Sequence, residues 1–410
     1  MGLNPDEAIS SDLSAYVNAP DANVRWESLG ADRSVEVLRV RAQSWRGIEW
    51  VHHLAVVGAA RQSDVALLYI TGGEPNSLDL ADAERLGDLS GFETAMLFDM
   101  PNQPIFDLSE DALIAHTFDR FLETGDATWP LLFPMVKSVV RAMDALQAWS
   151  QGRLARFILI GESKRAWTTW LTACTLDPRI IGIVPTVFDN LNMTAQLAHQ
   201  HEIWDEYSTA IHDYTDLGLP ARAQSHLGRR LSQMVDPFLS LKSINVPLLQ
   251  INGSNDEYWA PDARSLYEEW LPEASSLLTL ANEGHVFTDK LPYYRNAASF
   301  ARRCAAGLGF PKLVNKLTER NELLVNLILS VESAEFCTHC RLFLAESPDG
   351  KFAQAEWWVE SQCRPGELLE FCFALPELRE PFQAAFVQAD IDLGGGEVVT
   401  VSGTTILRRC

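Results

Sequence analysis

The chain has 410 residues, of which 47% are hydrophobic, so it can bury a large core and its length predicts more than one domain. Its 33 Lys and Arg residues stand against 55 Asp and Glu residues, which gives a formal net charge of -22. A surface of this sign repels nucleic acid and anionic lipid, so the composition counts against both as partners, although a local basic patch is compatible with it.

Neither export nor membrane insertion is indicated by the sequence. The N-terminal segment lacks a basic stretch followed by an apolar one, and no run approaches the ~20 apolar residues of a membrane-spanning helix. We therefore expect a cytoplasmic protein without a membrane span, or a secreted or periplasmic one if an export signal has been removed. The seven cysteines, at irregular spacing, favour reduced thiols over a disulfide framework.

Strand-like and helix-like segments alternate in the first half of the chain. Residues 50–70 read as two strands around a polar turn, and the second strand runs into Thr-Gly-Gly at residues 71–73. Apolar residues at spacings of three and four predict a helix over 135–149, and apolar runs at 156–160 and 180–187 predict two more strands. Such alternation implies a mostly parallel sheet with helices on both faces.

A long segment without strand character, residues 190–236, interrupts this alternation. It has helical periodicity, and an insertion of this size between two sheet strands commonly forms a lid over a site. We place the lid at about residues 190–240. Buried strands resume at 246–252 and 275–281, and each is followed by a polar loop.

The pattern changes again after Pro311. Short β-branched or aromatic runs alternate with turns such as SPDG and LGGG, which is typical of all-β domains. We place a small immunoglobulin-like β-sandwich at residues 317–410, after an α/β domain at residues 1–310 that carries the lid.

The most informative stretch is FILIGESKRAWTTWLTA at residues 157–173. It runs from an apolar strand through Gly161 and Ser163 directly into a helix, which is the geometry of a nucleophile elbow. Gly161 is required because a side chain there would collide with the turn. Arg165 occupies the position where the G-x-S-x-G pattern has its last glycine, so a strand–helix turn with Ser163 as a helix cap is the alternative.

An acid and a histidine follow Ser163 in the order Ser, acid, His that α/β-hydrolases use for their catalytic triad. Asp256 lies in a loop of small residues after one late strand, and His285 follows the next strand. In a triad, His285 would be the general base and Asp256 would fix its tautomer. An Asx-turn role for Asp256 and a surface-loop role for His285 are the alternatives, and Asp189 is the rival acid.

Acyl transfer also needs donors for the oxyanion of the tetrahedral intermediate. We assign one donor to the backbone N–H of Lys164, directly after the nucleophile, and the second to Gly73 or Glu74 in the loop ITGGEP. No H-E-x-x-H or comparable ligand spacing occurs, so we expect neither a metal nor a cofactor. The run CTHC at 337–340 could be half of a zinc site, but matching pairs are missing and packed strand cysteines are the better interpretation.

The elbow sequence GESKRAWTTWLTA closely resembles the GxSKRGWTTWLTA stretch of the PhoPQ-activated pathogenicity-related protein family, which includes the autocrine proliferation repressors; Ala166 replaces the glycine of that family. The segments YVNAPDANVRW, SWRGIEWVHHL, MPNQPIFD and INGSNDEYWAPD also look like family segments. The resemblance implies an α/β-hydrolase core followed by a β-rich domain, with Ser163, Asp256 and His285 in the triad positions. Members of the family commonly begin with an export signal.

The leading hypothesis is a serine hydrolase that cleaves an ester or peptide bond of a small-molecule substrate through an acyl-enzyme, with selectivity supplied by the lid. The first alternative is a non-catalytic signalling or binding protein that keeps the α/β-hydrolase fold. The second is a depolymerase or an acyltransferase that uses the same triad with a different acceptor.

Overall fold

The strands and helices of the chain are described by a computed structural model, which covers residues 12–32, 35–58, 62–329, 335–365 and 369–410. The chain divides into two compact units. The first unit comprises the described residues of Met1–Phe188 together with Ile211–Val246, and the second comprises those of Asp189–Ala210 together with Pro247–Cys410. The predicted domain division near residues 310–317 remains a prediction.

The strands of the described residues, in chain order, are β1 (Arg25–Asp32), β2 (Val35–Trp45), β3 (Ile48–Val57), β4 (Val65–Ile70), β5 (Glu93–Leu97), β6 (Arg156–Glu162), β7 (Ile180–Thr186), β8 (Leu248–Gly253), β9 (Ser275–Leu280), β10 (Lys312–Leu317), β11 (Glu322–Ile328), β12 (Phe336–Ser347), β13 (Trp358–Cys363), β14 (Glu370–Ala374), β15 (Phe382–Asp392), β16 (Val398–Ser402) and β17 (Ile406–Arg409).

The α-helices of the same residues are α1 (Asp12–Asn18), α2 (Ser77–Ser90), α3 (Glu110–Thr124), α4 (Leu132–Trp149), α5 (Lys164–Ala173), α6 (Met193–Trp204), α7 (His212–Thr215), α8 (Leu219–Arg222), α9 (His226–Val235) and α10 (Leu291–Ala306). Short 3₁₀ helices lie at Thr209–Ile211, Pro237–Ser243, Ala263–Leu266 and Glu268–Trp270. Among the helices described, none is long and apolar enough to cross a membrane.

A mixed sheet forms the core of the first unit, with the strand order β1-β2-β3-β5-β4-β6-β7. β1, β2, β3 and β5 pair antiparallel, whereas β5, β4, β6 and β7 pair parallel. Every residue of β4 is buried, as expected of a strand covered on both faces. The predicted strands at 50–70, 156–160 and 180–187 and the predicted helix at 135–149 are confirmed. The strands β1, β2 and β5 and the antiparallel pairing of β3 were not predicted.

Segment 190–240, described throughout, holds helices α6 to α9 and no strand, as its periodicity predicts. Its two ends belong to different compact units, since α6 falls in the second unit and the remaining helices fall in the first. In the first unit, α9 packs on α3. The role of this segment as a lid over a substrate remains a prediction.

The second unit contains the parallel pair β8 and β9, which confirms the strands predicted at 246–252 and 275–281. It also contains two antiparallel sheets, β10-β11-β14 and β13-β12-β15-β16, with β17 paired to β15. Apolar side chains of both sheets form one buried cluster, to which Leu323, Val325, Leu342 and Val387 contribute. This confirms a C-terminal all-β sandwich. Its immunoglobulin-like type remains a prediction.

Candidate active site

Ser163 lies between the end of β6 and the start of α5, in a backbone conformation of φ 55° and ψ -125°. A non-glycine residue keeps such a conformation only where its surroundings enforce it. The Ser163 N–H donates to the Thr186 carbonyl of β7 at 2.9 Å, which fixes the turn to the sheet. Ser163 occupies the N-cap position of α5, but its side chain makes no capping hydrogen bond to the helix.

Gly161 allows α5 to approach β6 closely. A Cβ atom at this position would lie 2.5 Å from the Arg165 carbonyl oxygen and 2.7 Å from Thr169 Oγ1. The structure therefore supports the sequence argument that the turn requires glycine at position 161.

The two basic residues after Ser163 are both held by acids at the start of α3. Lys164 is buried, and its Nζ lies 2.7 Å from Glu110 Oε2 and 3.1 Å from Asp111 Oδ2. The Arg165 guanidinium makes two hydrogen bonds to the Glu110 carboxylate, of 2.7 and 2.6 Å. Burial alone would raise the pKa of Glu110, but the hydrogen bonds and charges of Arg165 and Lys164 lower it to about 2. This ionic cluster keeps the first turn of α5 in place.

The candidate oxyanion loop follows β4 in the first unit. Gly73 has a φ of +73°, and its carbonyl accepts a 2.8 Å hydrogen bond from the Asp99 N–H. At the preceding residue, a Cβ on Gly72 would lie 2.7 Å from Cζ of Arg165, so the loop rests directly on that guanidinium. The donor roles of Lys164, Gly73 and Glu74 remain predictions.

Asp256 and His285 meet within the second unit. His285 Nδ1 lies 2.8 Å from Asp256 Oδ2, and 3% of the Asp256 side chain and 13% of the His285 side chain are exposed. Asp256 Oδ1 also accepts from the Tyr258 N–H at 3.0 Å, so the Asx-turn contact of the alternative interpretation exists alongside the histidine contact. The Tyr258 ring packs against His285, with the ring centroids 4.2 Å apart and the planes tilted by 33°. This geometry holds the imidazole in one orientation, which is not the environment of a surface-loop histidine.

Asp189, the rival acid, is buried in a different network of the second unit. Its carboxylate accepts from the Tyr267 hydroxyl, from Asn252 Nδ2 at 3.0 Å and from Gln250 Nε2 at 3.4 Å. Burial raises the pKa of Asp189 to about 6, although its hydrogen bonds oppose the shift. The structure thus places Asp256 beside Nδ1 of His285, whereas Asp189 accepts its hydrogen bonds from neutral donors and lies close enough to Arg264 for that charge to lower its pKa.

The predicted site residues fall into two sets. Ser163, Lys164, Gly73 and Glu74 belong to the first unit, whereas the dyad of Asp256 and His285 belongs to the second. The assignment of Ser163 and the dyad to one triad remains a prediction. Sequence reasoning missed the acids that hold Lys164 and Arg165, because Glu110 and Asp111 carry no local signal beyond an acidic helix start.

The cysteines of the CTHC run lie on β12 inside the sandwich core. Cys337 and Cys340 are buried, with their Sγ atoms 3.6 Å apart. Among the residues that the structure describes, no group of three or more His, Cys, Asp or Glu side chains is arranged to hold a metal ion. These thiols pack against apolar neighbours, as the packing interpretation predicts.

Comparison with known proteins gives a family and a fold. The sequence profile of the PhoPQ-activated pathogenicity-related protein family matches residues 13–352. Autocrine proliferation repressor protein A of Dictyostelium discoideum is 32% identical over 287 residues, which are 63% of this chain and 57% of that protein. The chain therefore spans little more than half the length of this relative.

Two of the solved structures with a similar fold are acetyl xylan esterases. Acetyl xylan esterase 1 from a Thermoanaerobacterium species gives a TM-score of 0.53 at 13% identity, covering 74% of this chain and 96% of the esterase. An acetyl xylan esterase from a Paenibacillus species gives 0.52 at 13% identity, covering 73% and 92%. At this identity the likeness shows the fold alone, and that fold is the α/β-hydrolase fold.

Proposed function

Because the chain belongs to the PhoPQ-activated pathogenicity-related protein family, we propose that it is a serine hydrolase that cleaves an ester or peptide bond through an acyl-enzyme. Ser163 is the nucleophile, His285 the general base and Asp256 the residue that orients the histidine. The observation that carries the proposal is the backbone conformation of Ser163, φ 55° and ψ -125°, at a strand-to-helix turn. Strained residues of this kind cluster at active sites, and a nucleophile elbow requires one here.

The reaction follows from the chemistry of these groups. The Ser163 hydroxyl attacks the carbonyl carbon while His285 Nε2 takes its proton, and Asp256 stabilises the imidazolium through Nδ1–H. The N–H groups of Lys164 and of Gly73 or Glu74 stabilise the oxyanion. Collapse of the tetrahedral intermediate expels the leaving group with the proton from His285, and a water molecule then hydrolyses the acyl-enzyme by the same steps.

A second candidate function is a signalling or binding role without turnover. It is favoured by the relative named as a proliferation repressor, of which this chain matches 57%. The 2.8 Å contact between His285 and Asp256 counts against it, because a binding protein has no need of an oriented imidazole. A depolymerase or acyltransferase would use the same triad with another acceptor.

The proposal is tested by comparing the wild type and Ser163→Ala in the turnover of a panel of esters, amides and peptides. We expect the replacement to reduce turnover by about 10⁴ to 10⁶, because the members of a triad act as a unit. Ser265→Ala, at an exposed serine outside the site, is the matched control. Activity retained in Ser163→Ala would remove Ser163 from the mechanism, and a wild type inactive on the whole panel would favour the binding role.

A further inference from the structure

Arg165 stands where the elbow pattern has its last glycine, and its long side chain is nearly buried, with 11% exposed. The guanidinium lies under the oxyanion loop: a Cβ at Gly72 would be 2.7 Å from Cζ and 3.2 Å from Nε of Arg165. The absence of a side chain at Gly72 is what lets the loop backbone rest on this cation. Arg165 therefore fills a space that the loop itself leaves open.

Three hydrogen bonds fix the guanidinium in this position. Two run to the Glu110 carboxylate at 2.7 and 2.6 Å, and Nε donates to the Met100 carbonyl at 2.7 Å. A planar fork bound to a carboxylate by two hydrogen bonds has a defined orientation, which a lysine ammonium would not have. Glu110 is ionised over the working pH range because Arg165 and Lys164 lower its pKa to about 2.

The segment that receives the Nε bond also holds the oxyanion loop. The Met100 N–H donates to the Thr71 carbonyl at 3.2 Å, and the Asp99 N–H donates to the Gly73 carbonyl at 2.8 Å. The loop is thus tied to residues 99–100 on one side and rests on Arg165 on the other. Because Arg165 is the second residue of α5, it is rigidly linked to the N–H of Lys164.

We propose that Arg165 is a positioning residue for the oxyanion hole, which holds the Gly72–Gly73–Glu74 loop at a fixed distance from the N–H of Lys164. This inference rests on the proposed function. Oxyanion donors contribute to catalysis only when they are fixed in advance at the position where the charge develops. A loop with two successive glycines has little rigidity of its own, so an external support is required.

Steady-state kinetics of two variants, Arg165→Lys and Arg165→Met, test the inference. The control is Arg85→Met, at an exposed position of α2. We expect kcat to fall by about 10² to 10³ in both Arg165 variants, as for loss of one oxyanion donor, with KM little changed. The pH profile should keep its midpoint, because the histidine base is untouched. A boronic acid that forms a tetrahedral adduct with serine should lose affinity by the same factor as kcat/KM.

Gly72→Ala gives an independent measurement should the Arg165 variants fold poorly. Its methyl group meets a guanidinium held by three hydrogen bonds, so the loop must move and kcat should again fall at nearly constant KM. A kcat equal to that of the wild type in folded Arg165→Met or in Gly72→Ala would overturn this inference but leave the proposed function intact. No turnover by the wild-type protein would overturn the proposed function, and the inference with it.

Discussion

Asp256 and Asp189 are both buried carboxylates of the second unit, but they have different hydrogen-bond partners. Asp256 accepts from His285, whereas Asp189 accepts from Tyr267 and two amides. We expect Asp256→Asn to cut kcat by about 10⁴, because His285 would be held in the wrong tautomer. Asp189→Asn should cost far less. Steady-state kinetics of both variants, with melting temperatures to confirm folding, provide the measurement.

The pH dependence of the unfolding free energy provides a separate test of the environment of Asp189. Because burial raises the pKa of Asp189 from 3.8 to about 6, the folded state binds its proton more tightly than the unfolded chain does. Asp189 therefore lowers stability as the pH rises from about 4 through 6, and Asp189→Asn should remove that decline. The assignment would be overturned if both variants were equally stable and Asp189→Asn showed the larger loss of rate.

Sequence reasoning found the residues whose neighbours are local and missed those whose partners are distant. Gly161 and Ser163 stand in a short pattern whose geometry depends on the adjacent strand and helix, so both were identified. The pairing of Arg165 with Glu110 joins residues 55 positions apart. For that reason the sequence marks Arg165 only as a departure from the G-x-S-x-G pattern.

At the scale of elements, the start of α3 is joined to the start of α5 by the ionic cluster of Glu110, Asp111, Lys164 and Arg165. The pKa of Glu110 falls from 4.5 to about 2 on folding. Its contribution to stability is therefore present above pH 4.5 and is lost as the pH falls toward 2. We expect the difference in unfolding free energy between the wild type and Glu110→Gln to be constant near neutral pH and to shrink in that acidic range.

Denaturant unfolding at a series of pH values measures this difference, with Glu84→Gln at an exposed position of α2 as the matched control. If the difference in unfolding free energy between the wild type and Glu110→Gln stays constant down to pH 2, the cluster does not stabilise the ionised form of Glu110.

The sandwich supplies a second test at this scale. An extra residue in β12, between Cys337 and His339, lets Cys337 and Cys340 face the same core. If these thiols only pack, Cys340→Ser should destabilise the protein by about 1–3 kcal/mol, because it buries a hydroxyl. Cys372→Ser, at an exposed thiol, should change stability by less than about 0.5 kcal/mol.

Thermal unfolding with and without a chelator checks this packing account. Equal effects of the two substitutions would contradict the packing account. A wild-type melting temperature that falls on addition of the chelator would restore the zinc interpretation.

The missed strand β5 shows why patterns fail for some elements. It is only five residues long and begins with Glu93, a charged residue that a hydrophobic pattern rejects. Glu93 is nevertheless buried, because Arg153 binds its carboxylate with two hydrogen bonds of 2.6 and 2.7 Å. By contrast, β6, β7, β8 and β9 each contain a cluster of apolar residues, and the sequence pattern predicted all four strands.

At the scale of the whole molecule, segment 190–240 is divided between the two units by long-range contacts. Trp204 Nε1 donates to the Gly350 carbonyl at 2.8 Å, which ties α6 to the second unit. Trp167 Nε1 donates to the Val235 carbonyl at 2.6 Å, which ties α9 to the first. Both contacts join residues far apart in sequence, so periodicity predicted the helices of this segment but could not predict how they divide.

The order of Ser163, Asp256 and His285 along the chain is a second feature of the whole molecule, and it can be read from the sequence. The order follows from the sequence pattern and the family resemblance, and the structure adds the conformation of the elbow in one unit and the His–Asp contact in the other. Neither the order of these residues nor their geometry identifies the substrate, because an acyl-enzyme mechanism is common to esters and peptides.

Labelling of the folded protein with a fluorophosphonate, followed by peptide mass spectrometry, tests the central claim most directly. The reagent reacts with a serine only where a base and an oxyanion hole activate it, so we expect a single adduct on the peptide that contains Ser163. Denatured protein and Ser163→Ala should give none, and Asp256→Asn should react far more slowly. An unlabelled wild type, or an adduct on any other serine, would contradict the assignment of Ser163 as the nucleophile.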